Sequence, residues 1–432
     1  MAIMKDSGVK WIGDIPEDWD VIKLKYILEN KKNAVKVGPF GSQLSGSDIL
    51  SEGDYWVYNQ RTVLDNNYET SNTFVSEEKY KDLVSFTVSA GDILITTRGS
   101  IGKISRVPNE HCAGVIHPCI IKFNIDDKKY LYSMLEYIFN QSDLVINQVQ
   151  YNSNSTTIDV IYSDTLKNIE LPYMPLEQQE KIVSFLKEKI GEIDSVIDKT
   201  KVTIDEYKQF KRSSINEVVK RGLREDVLLK DSGVEWIGNI PEHWKIRRGK
   251  TILTLLDRPV LETDDVITCF RDGQVTLRKN RRTEGFTVSL KEIGYQGIEP
   301  EDLVVHGMDG FAGAIGISDS RGKASPVLNV CDSSQNKKYI MYYLRSMAYD
   351  NVFTALATGI RVRSCDLRWN KLAELDYPVP PLEEQEDITE YLDAKCAEID
   401  KLISSKEALI EELEAYKKTV IYEYVTGKKE VL

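Results

Sequence analysis

The chain has 432 residues, room for roughly two to four domains with separate hydrophobic cores. Its 41% hydrophobic and 29% charged residues describe an ordinary soluble globular protein, and no run of about 18 apolar residues offers a membrane span. A net charge of −12 argues against a uniformly basic nucleic-acid binder, although phosphate affinity follows local clusters rather than the total.

The first residues carry no apolar stretch of a signal peptide. They open instead on Lys5-Asp6-Ser7-Gly8-Val9-Lys10-Trp11-Ile12-Gly13-Asp14-Ile15-Pro16-Glu17-Asp18-Trp19, a motif that returns from Lys230 to Trp244 with twelve of fifteen positions identical, 225 residues later. Between Val21 and Leu171 short apolar runs such as Asp92-Ile93-Leu94-Ile95 alternate with glycine turns such as Gly38-Pro39-Phe40-Gly41-Ser42, which predicts strands, with one helix over 130–138. The second half repeats the order, with a strand at Glu301–Val305 and a helix over 337–344. The interiors of the two lobes otherwise differ, which points to one scaffold presenting two surfaces.

Each lobe ends in prolines, Pro172 and Pro175 or Pro378, Pro380 and Pro381, which disfavour helix just upstream. Pro175-Leu176-Glu177-Gln178-Gln179-Glu180 then recurs as Pro381-Leu382-Glu383-Glu384-Gln385-Glu386, 206 residues on, each opening a helix of roughly 45 residues, about 65–70 Å. In the first helix Ile190, Ile193, Ile197, Thr200, Ile204 and Tyr207 alternate spacings of three and four; in the second Cys396, Ile399, Ile403, Lys406, Ile410 and Leu413 do the same. This is the seam of a coiled coil, with Thr200 and Lys406 placed to set register; two amphipathic helices packed on their own lobes are the other reading. The expected organisation is a lobe over 1–171, a helical spacer over 172–229, a second lobe over 230–377 and a second spacer over 378–432. Overall the fold class is α+β: duplicated mixed lobes joined by two long helices that pair along these seams, with pseudo-two-fold symmetry.

The entrance motif, the helix-opening motif, Gly38–Ser42 and the run Gly91-Asp92-Ile93-Leu94-Ile95-Thr96-Thr97-Arg98-Gly99-Ser100-Ile101-Gly102-Lys103 together resemble the specificity subunit of type I restriction–modification systems. The resemblance spans essentially the whole chain. It implies two target-recognition domains, each reading half of a bipartite site in double-stranded DNA. The helices would pair antiparallel, fix the gap and dock two methyltransferase subunits, and restriction subunits would complete the enzyme. It further implies a non-catalytic chain without its own cofactor: S-adenosylmethionine belongs to the methyltransferase partner, ATP and Mg to the restriction partner. The second lobe departs from the pattern, with Val305-His306-Gly307-Met308-Asp309-Gly310 where the first has Ile95-Thr96-Thr97-Arg98-Gly99, so roles in that loop do not transfer.

The chemistry agrees. The one Pro-Pro, Pro380-Pro381, lies in a linker and forms no adenine-methyltransferase motif. Thr97–Ile104 lacks the first glycine and the hydroxyl residue of a P-loop and reads as strand–turn–strand. His111, Cys112, His117 and Cys119 cluster in sequence, but a half-buried strand explains them better than a zinc site. Cys269, Cys331, Cys365 and Cys396 are scattered, no CxxC exists, and reduced thiols in a cytoplasmic chain are expected. Trp11, Trp19, Trp236 and Trp244 are expected to pack, because lobes with different targets share them.

DNA reading falls to polar loop residues, Arg pairing with guanine and Asn or Gln with adenine. In the first lobe the candidates are Ser42, Gln43, Asn59, Gln60, Arg61, Arg98, Ser100, Lys103 and Asn154. In the second they are Arg258, Arg271, Gln274, Arg278, Lys279, Arg281, Arg282, Arg361 and Arg363, with the run Arg278–Arg282 the best candidate for phosphate. A pseudo-symmetric scaffold that bridges two protein partners without reading DNA is the alternative.

Overall fold

The computed structural model describes residues 3–31, 33–152, 160–281, 292–356 and 367–431. Two compact units emerge: Met1–Lys199 with Ala408–Leu432, and Thr200–Glu407. The sequence sets its boundaries at the prolines, whereas the contacts divide each long helix between the two units. The reason is that the apolar face of each helix end is shared with a lobe. Ile182, Leu186 and Ile190 are buried in one core with Trp19, Leu24, Leu171, Ile421 and Val425. Ile215, Val219, Ile388 and Leu392 are buried in another with Trp244, Tyr339 and Tyr377.

Each unit is built on a four-stranded antiparallel sheet of the same order. In the first unit the strands run Val35–Val37, Ile120–Phe123, Ile93–Thr96, Ile104–Arg106. In the second they run Leu253–Leu255, Leu328–Ser333, Leu303–His306, Ile315–Ile317. The all-apolar central strands Ile93-Leu94-Ile95 and Leu303-Val304-Val305 are fully buried, as their unalternating runs require. A buried aspartate precedes each: Asp92 pairs with Lys122 at 2.9 Å and Asp302 with Arg258. The lobe helices extend over Tyr132–Asn140 and Lys337–Tyr349. Beyond this frame the contents differ. The first unit adds a mixed sheet, Phe74–Val75, Tyr55–Tyr58 and Gly114–Ile116; the second adds a hairpin, Ile267–Cys269 with Val275–Leu277, and a separate antiparallel pair, Gln296–Ile298 with Gly322–Ala324.

The entrance motif folds each time into a small antiparallel pair, Met4–Asp6 with Asp14–Pro16 and Leu229–Asp231 with Asn239–Pro241. Trp19 and Trp244 are buried, and Trp11 and Trp236 half-buried, so these rings pack rather than wait for bases. Helix ends dock beside them. Tyr422 Oη and Lys428 Nζ donate to the Ile12 carbonyl at 3.1 and 2.8 Å, and Trp244 Nε1 donates to Glu384 at 3.1 Å.

The long helices cover Leu176–Arg221 and Leu382–Val425. Pro175 and Pro381 accept the first helical hydrogen bonds, and Gly222 and Gly427, at φ +76° and +71°, end them in the left-handed conformation glycine tolerates. In both repeats the glutamine at the fifth position of the opening motif is fully buried. Gln179 accepts from Leu131 N (2.8 Å) and donates to the Met174 and Lys129 carbonyls (3.0 and 3.2 Å). Gln385 accepts from Asn336 N (2.9 Å) and donates to the Pro380 carbonyl and Gln335 (2.8 and 2.9 Å). Each glutamine thus ties a long helix to the start of its lobe helix.

Within each unit the helix segments run antiparallel. In the first, Phe185 packs on Tyr424 and Lys417 pairs with Asp194 at 2.6 Å, so one chain ascends as the other descends. In the second, Lys211 pairs with Asp400 at 2.6 Å and Lys395 lies over Phe210. Ile190, Ile193, Ile197, Thr200, Ile204, Cys396, Ile399 and Ile403 are buried; Tyr207, Lys406, Ile410 and Leu413 are half-buried.

Candidate nucleic-acid interface

In the first lobe two loops spring from neighbouring points at one end of the four-stranded sheet, and a short helix that follows a strand of the mixed sheet reaches them. Gly38 N donates to the Ile120 carbonyl (2.9 Å) and Thr97 N to the Cys119 carbonyl (3.1 Å), which sets the loops after Val37 and Thr96 side by side. The short helix Gln60–Leu64 joins them, since Gln60 Nε2 lies 3.3 Å from where a Cβ on Gly99 would stand. Ser42, Gln43, Arg98 and Ser100 are exposed there. Arg98 makes no hydrogen bond or ion pair among the described residues.

Other candidates in this lobe are used internally. Asn59 caps the short helix, accepting from Arg61 N and Thr62 N, while its Nδ2 donates to Thr73. Lys103 is half-buried and donates from Nζ to the Asn140 carbonyl at 2.6 Å; burial pushes its pKa down. Thr96 Oγ1 donates to the Ser100 carbonyl and accepts from Lys103 N, which closes the predicted strand–turn–strand. Arg61 is exposed and paired with Asp65 at 3.1 Å. It lines a polar recess of ≈ 280 Å³ with Asn59, Asn67, Thr70 and Asn72. Two exposed groups were invisible to pattern reading: Asn72 in that recess, and Phe40, 75% exposed and flanked by the turn bond Gln43 N to Phe40 O.

In the second lobe four of the basic candidates, Arg258, Arg271, Lys279 and Arg281, are matched with carboxylates. Arg258 grips Asp302 through both terminal nitrogens, and Asp302 is only 2% exposed. That arginine is a structural partner. Lys279 pairs with Asp265 at 2.5 Å and Arg281 with Asp272 at 2.7 Å, its guanidinium lying over Phe270. Arg278 donates from Nε to Thr268 Oγ1 at 3.1 Å, and Arg271 reaches Asp309 at 2.9 Å. Gln274 is exposed beside them. Arg345, which the sequence hides inside a helix, donates to the Asp272 carbonyl at 2.8 Å and braces the turn that carries Arg271. Asn154, Arg282, Arg361 and Arg363 lie outside the described residues.

No group of three or more His, Cys, Asp or Glu side chains suited to a metal occurs among the described residues. Only Gly114–Ile116 of the His111–Cys119 stretch is strand; Cys112 is exposed and His117 Nδ1 accepts from Cys119 N. No helix among the described residues is long and apolar enough to cross a membrane.

Residues 16–205 match the family model described as the type I restriction modification DNA specificity domain. The chain is similar to the putative type I restriction enzyme MjaX specificity subunit of Methanocaldococcus jannaschii, 24% identical over 458 residues, spanning 96% of this chain and 95% of that one. The MjaVIII specificity subunit of the same organism is 24% identical over 438 residues, spanning 96% and 93%. A chain solved in work on the assembly and conformational transition of the type I R-M system shares the fold, with TM-score 0.68 at 14% identity, covering 96% of this chain and 99% of that one.

Proposed function

We infer that this chain is a type I restriction–modification specificity subunit and reads a bipartite site in double-stranded DNA, one half through each lobe; sequence similarity and the shared fold support the reading. One observation carries the reading: the same four-stranded sheet recurs in both units, while the polar groups set around it differ, on loops and a short helix in the first and on a separate hairpin in the second. A constant frame with changed contents is what two different half-sites demand. In the first lobe the reading groups are Phe40–Gln43, Gln60, Arg61 and Arg98–Ser100. In the second they are Arg271, Gln274 and the Arg278–Arg281 run.

The long helices space the half-sites and present their outer faces to two methyltransferase subunits. Val202, Phe210 and Leu402 are exposed apolar positions suited to such docking. This chain contributes no catalytic group. S-adenosylmethionine is held by the methyltransferase partner, which methylates adenine; ATP and Mg are held by restriction subunits, and the assembly works in the cytoplasm.

The test is a genome-wide map of modified adenines in cells that express the chain with its methyltransferase partner. A two-part motif with a fixed gap is expected, and exchanging residues 20–170 for those of another allele should change one half alone. An active, assembled partner that leaves the genome unmodified, or binding without salt-dependent sequence preference, would favour the bare scaffold instead.

A further inference from the structure

Arg271 and Asp309 stand 38 residues apart in sequence, and the backbone at each end of their contact is braced by internal hydrogen bonds. Arg271 sits in the turn between the strands Ile267–Cys269 and Val275–Leu277. Phe270 N donates to the Gln274 carbonyl and Gly273 N to the Phe270 carbonyl, both at 2.9 Å. Asp272 is held from two sides, its carbonyl by Arg345 and its carboxylate by Arg281. A Cβ on Gly273 would lie 2.6 Å from the Arg345 guanidinium, so this brace is tight.

Asp309 is as well constrained. Its N–H and that of Met308 donate to His306 Nδ1 at 3.0 and 3.2 Å. Its carbonyl accepts from Ala312 N and Ala314 N at 2.9 and 3.3 Å. These bonds fix the Asp309 backbone, and its carboxylate takes one donor of the arginine, Nη2, at 2.9 Å. The Arg271 side chain is 64% exposed, and the rest of its guanidinium makes no hydrogen bond among the described residues. The contrast is Arg258, which spends both terminal nitrogens on one buried carboxylate.

A guanidinium pinned by one donor is pre-oriented, with fewer rotamers to lose when the remaining donors meet a planar acceptor pair. Guanine O6 and N7 are such a pair. A phosphate, by contrast, competes with Asp309 for the same cation and meets the like charge of the carboxylate. We propose that Asp309 is a positioning residue that holds Arg271 toward a guanine edge and withholds it from the DNA backbone. The proposal rests on the DNA-reading function of the second lobe and adds how discrimination is built there.

The experiment uses the chain assembled with its methyltransferase partner and compares D309N, R271Q and the double variant. Modification mapping for the unaltered complex should show guanine at a position of the half-site read by residues 230–377. D309N should lower the preference for that guanine about tenfold, within the range one bidentate contact supplies, with the other half-site unchanged. Its binding to non-specific duplex should gain in salt dependence by about 0.9 in the log–log slope, one phosphate's worth. R271Q should relax the same position, and D309N should add nothing in that background. Unchanged preference at the remaining positions of the same half-site, read by the same lobe, certifies that each variant is folded. The proposal is overturned if D309N keeps both the motif and the slope, if no guanine occurs in that half-site, or if D309N acts equally without Arg271. A complex that marks no bipartite motif at all would instead sink the parent reading.

Discussion

Replacing Gln179 by alanine removes a fully buried carboxamide that satisfies three backbone groups, Leu131 N and the carbonyls of Met174 and Lys129. Each such bond contributes a net ~1 kcal/mol, and groups left buried without a partner cost more. With the apolar part of the side chain adding ~0.8 kcal/mol per methylene, the expected loss is about 3–5 kcal/mol. Urea unfolding followed by tryptophan fluorescence measures it, and hydrogen exchange at the Leu131 amide localises it. Gln385→Ala should act equally, with the lost protection at Asn336. The sharper variant is Gln179→Glu, which can accept from Leu131 N but, when ionised, opposes two carbonyls. Burial and that opposition raise its folded pKa above the unfolded ~4.3, so its stability is greatest below that value and is lost as pH rises through the folded pKa. A loss below about 1 kcal/mol for Gln179→Ala, or a Gln179→Glu chain no weaker at pH 8 than at pH 5, would refute the anchoring role.

Arg98→Ala should flatten the salt slope of DNA binding by about 0.9 without changing stability, because the guanidinium makes no hydrogen bond or ion pair among the described residues; an unchanged slope counts against Arg98 as a DNA contact. Arg258→Ala should destabilise the second unit by about 3 kcal/mol or more, since it strands the buried Asp302 carboxylate; denaturant midpoints decide this. Burial holds the His306 pKa below the ordinary 6.5, and its neutral Nδ1 accepts from Met308 N and Asp309 N. A depressed pKa stabilises above the unfolded value and is lost as pH falls through the folded one. Exchange of those two amides should therefore accelerate below about pH 6.5 beyond its intrinsic trend, and His306→Gln should abolish the extra pH dependence.

Much of the frame was legible in the sequence because it rests on local rules. The 3-4 spacing from Ile190 to Tyr207 and from Cys396 to Leu413 marks positions that are buried or half-buried, and prolines and glycines punctuate the helices where backbone chemistry requires. The strand–turn–strand at Thr97–Ile104 and the packing role of the repeated tryptophans are equally local in origin. The division of each long helix between two units was not legible, because both readings of the helices hold in part. Ile182 and Ile388 pack into lobe cores, while Asp194 and Lys211 meet the opposite helix.

The sequence by itself determined the duplication and the two long helices, and it supplied the polar candidates for reading groups, since identity and periodicity are properties of the chain alone. Only the tertiary structure decided which of those residues are still available to a ligand. Arg98, Arg258 and Arg271 look alike in a string of letters; one stands without a partner among the described residues, one is closed on a buried carboxylate, and one is pinned by a single donor. The physical reason is range. An ion pair forms between groups that the fold brings within about 3 Å, and Asp302 and Asp309 lie 44 and 38 residues from the arginines they hold.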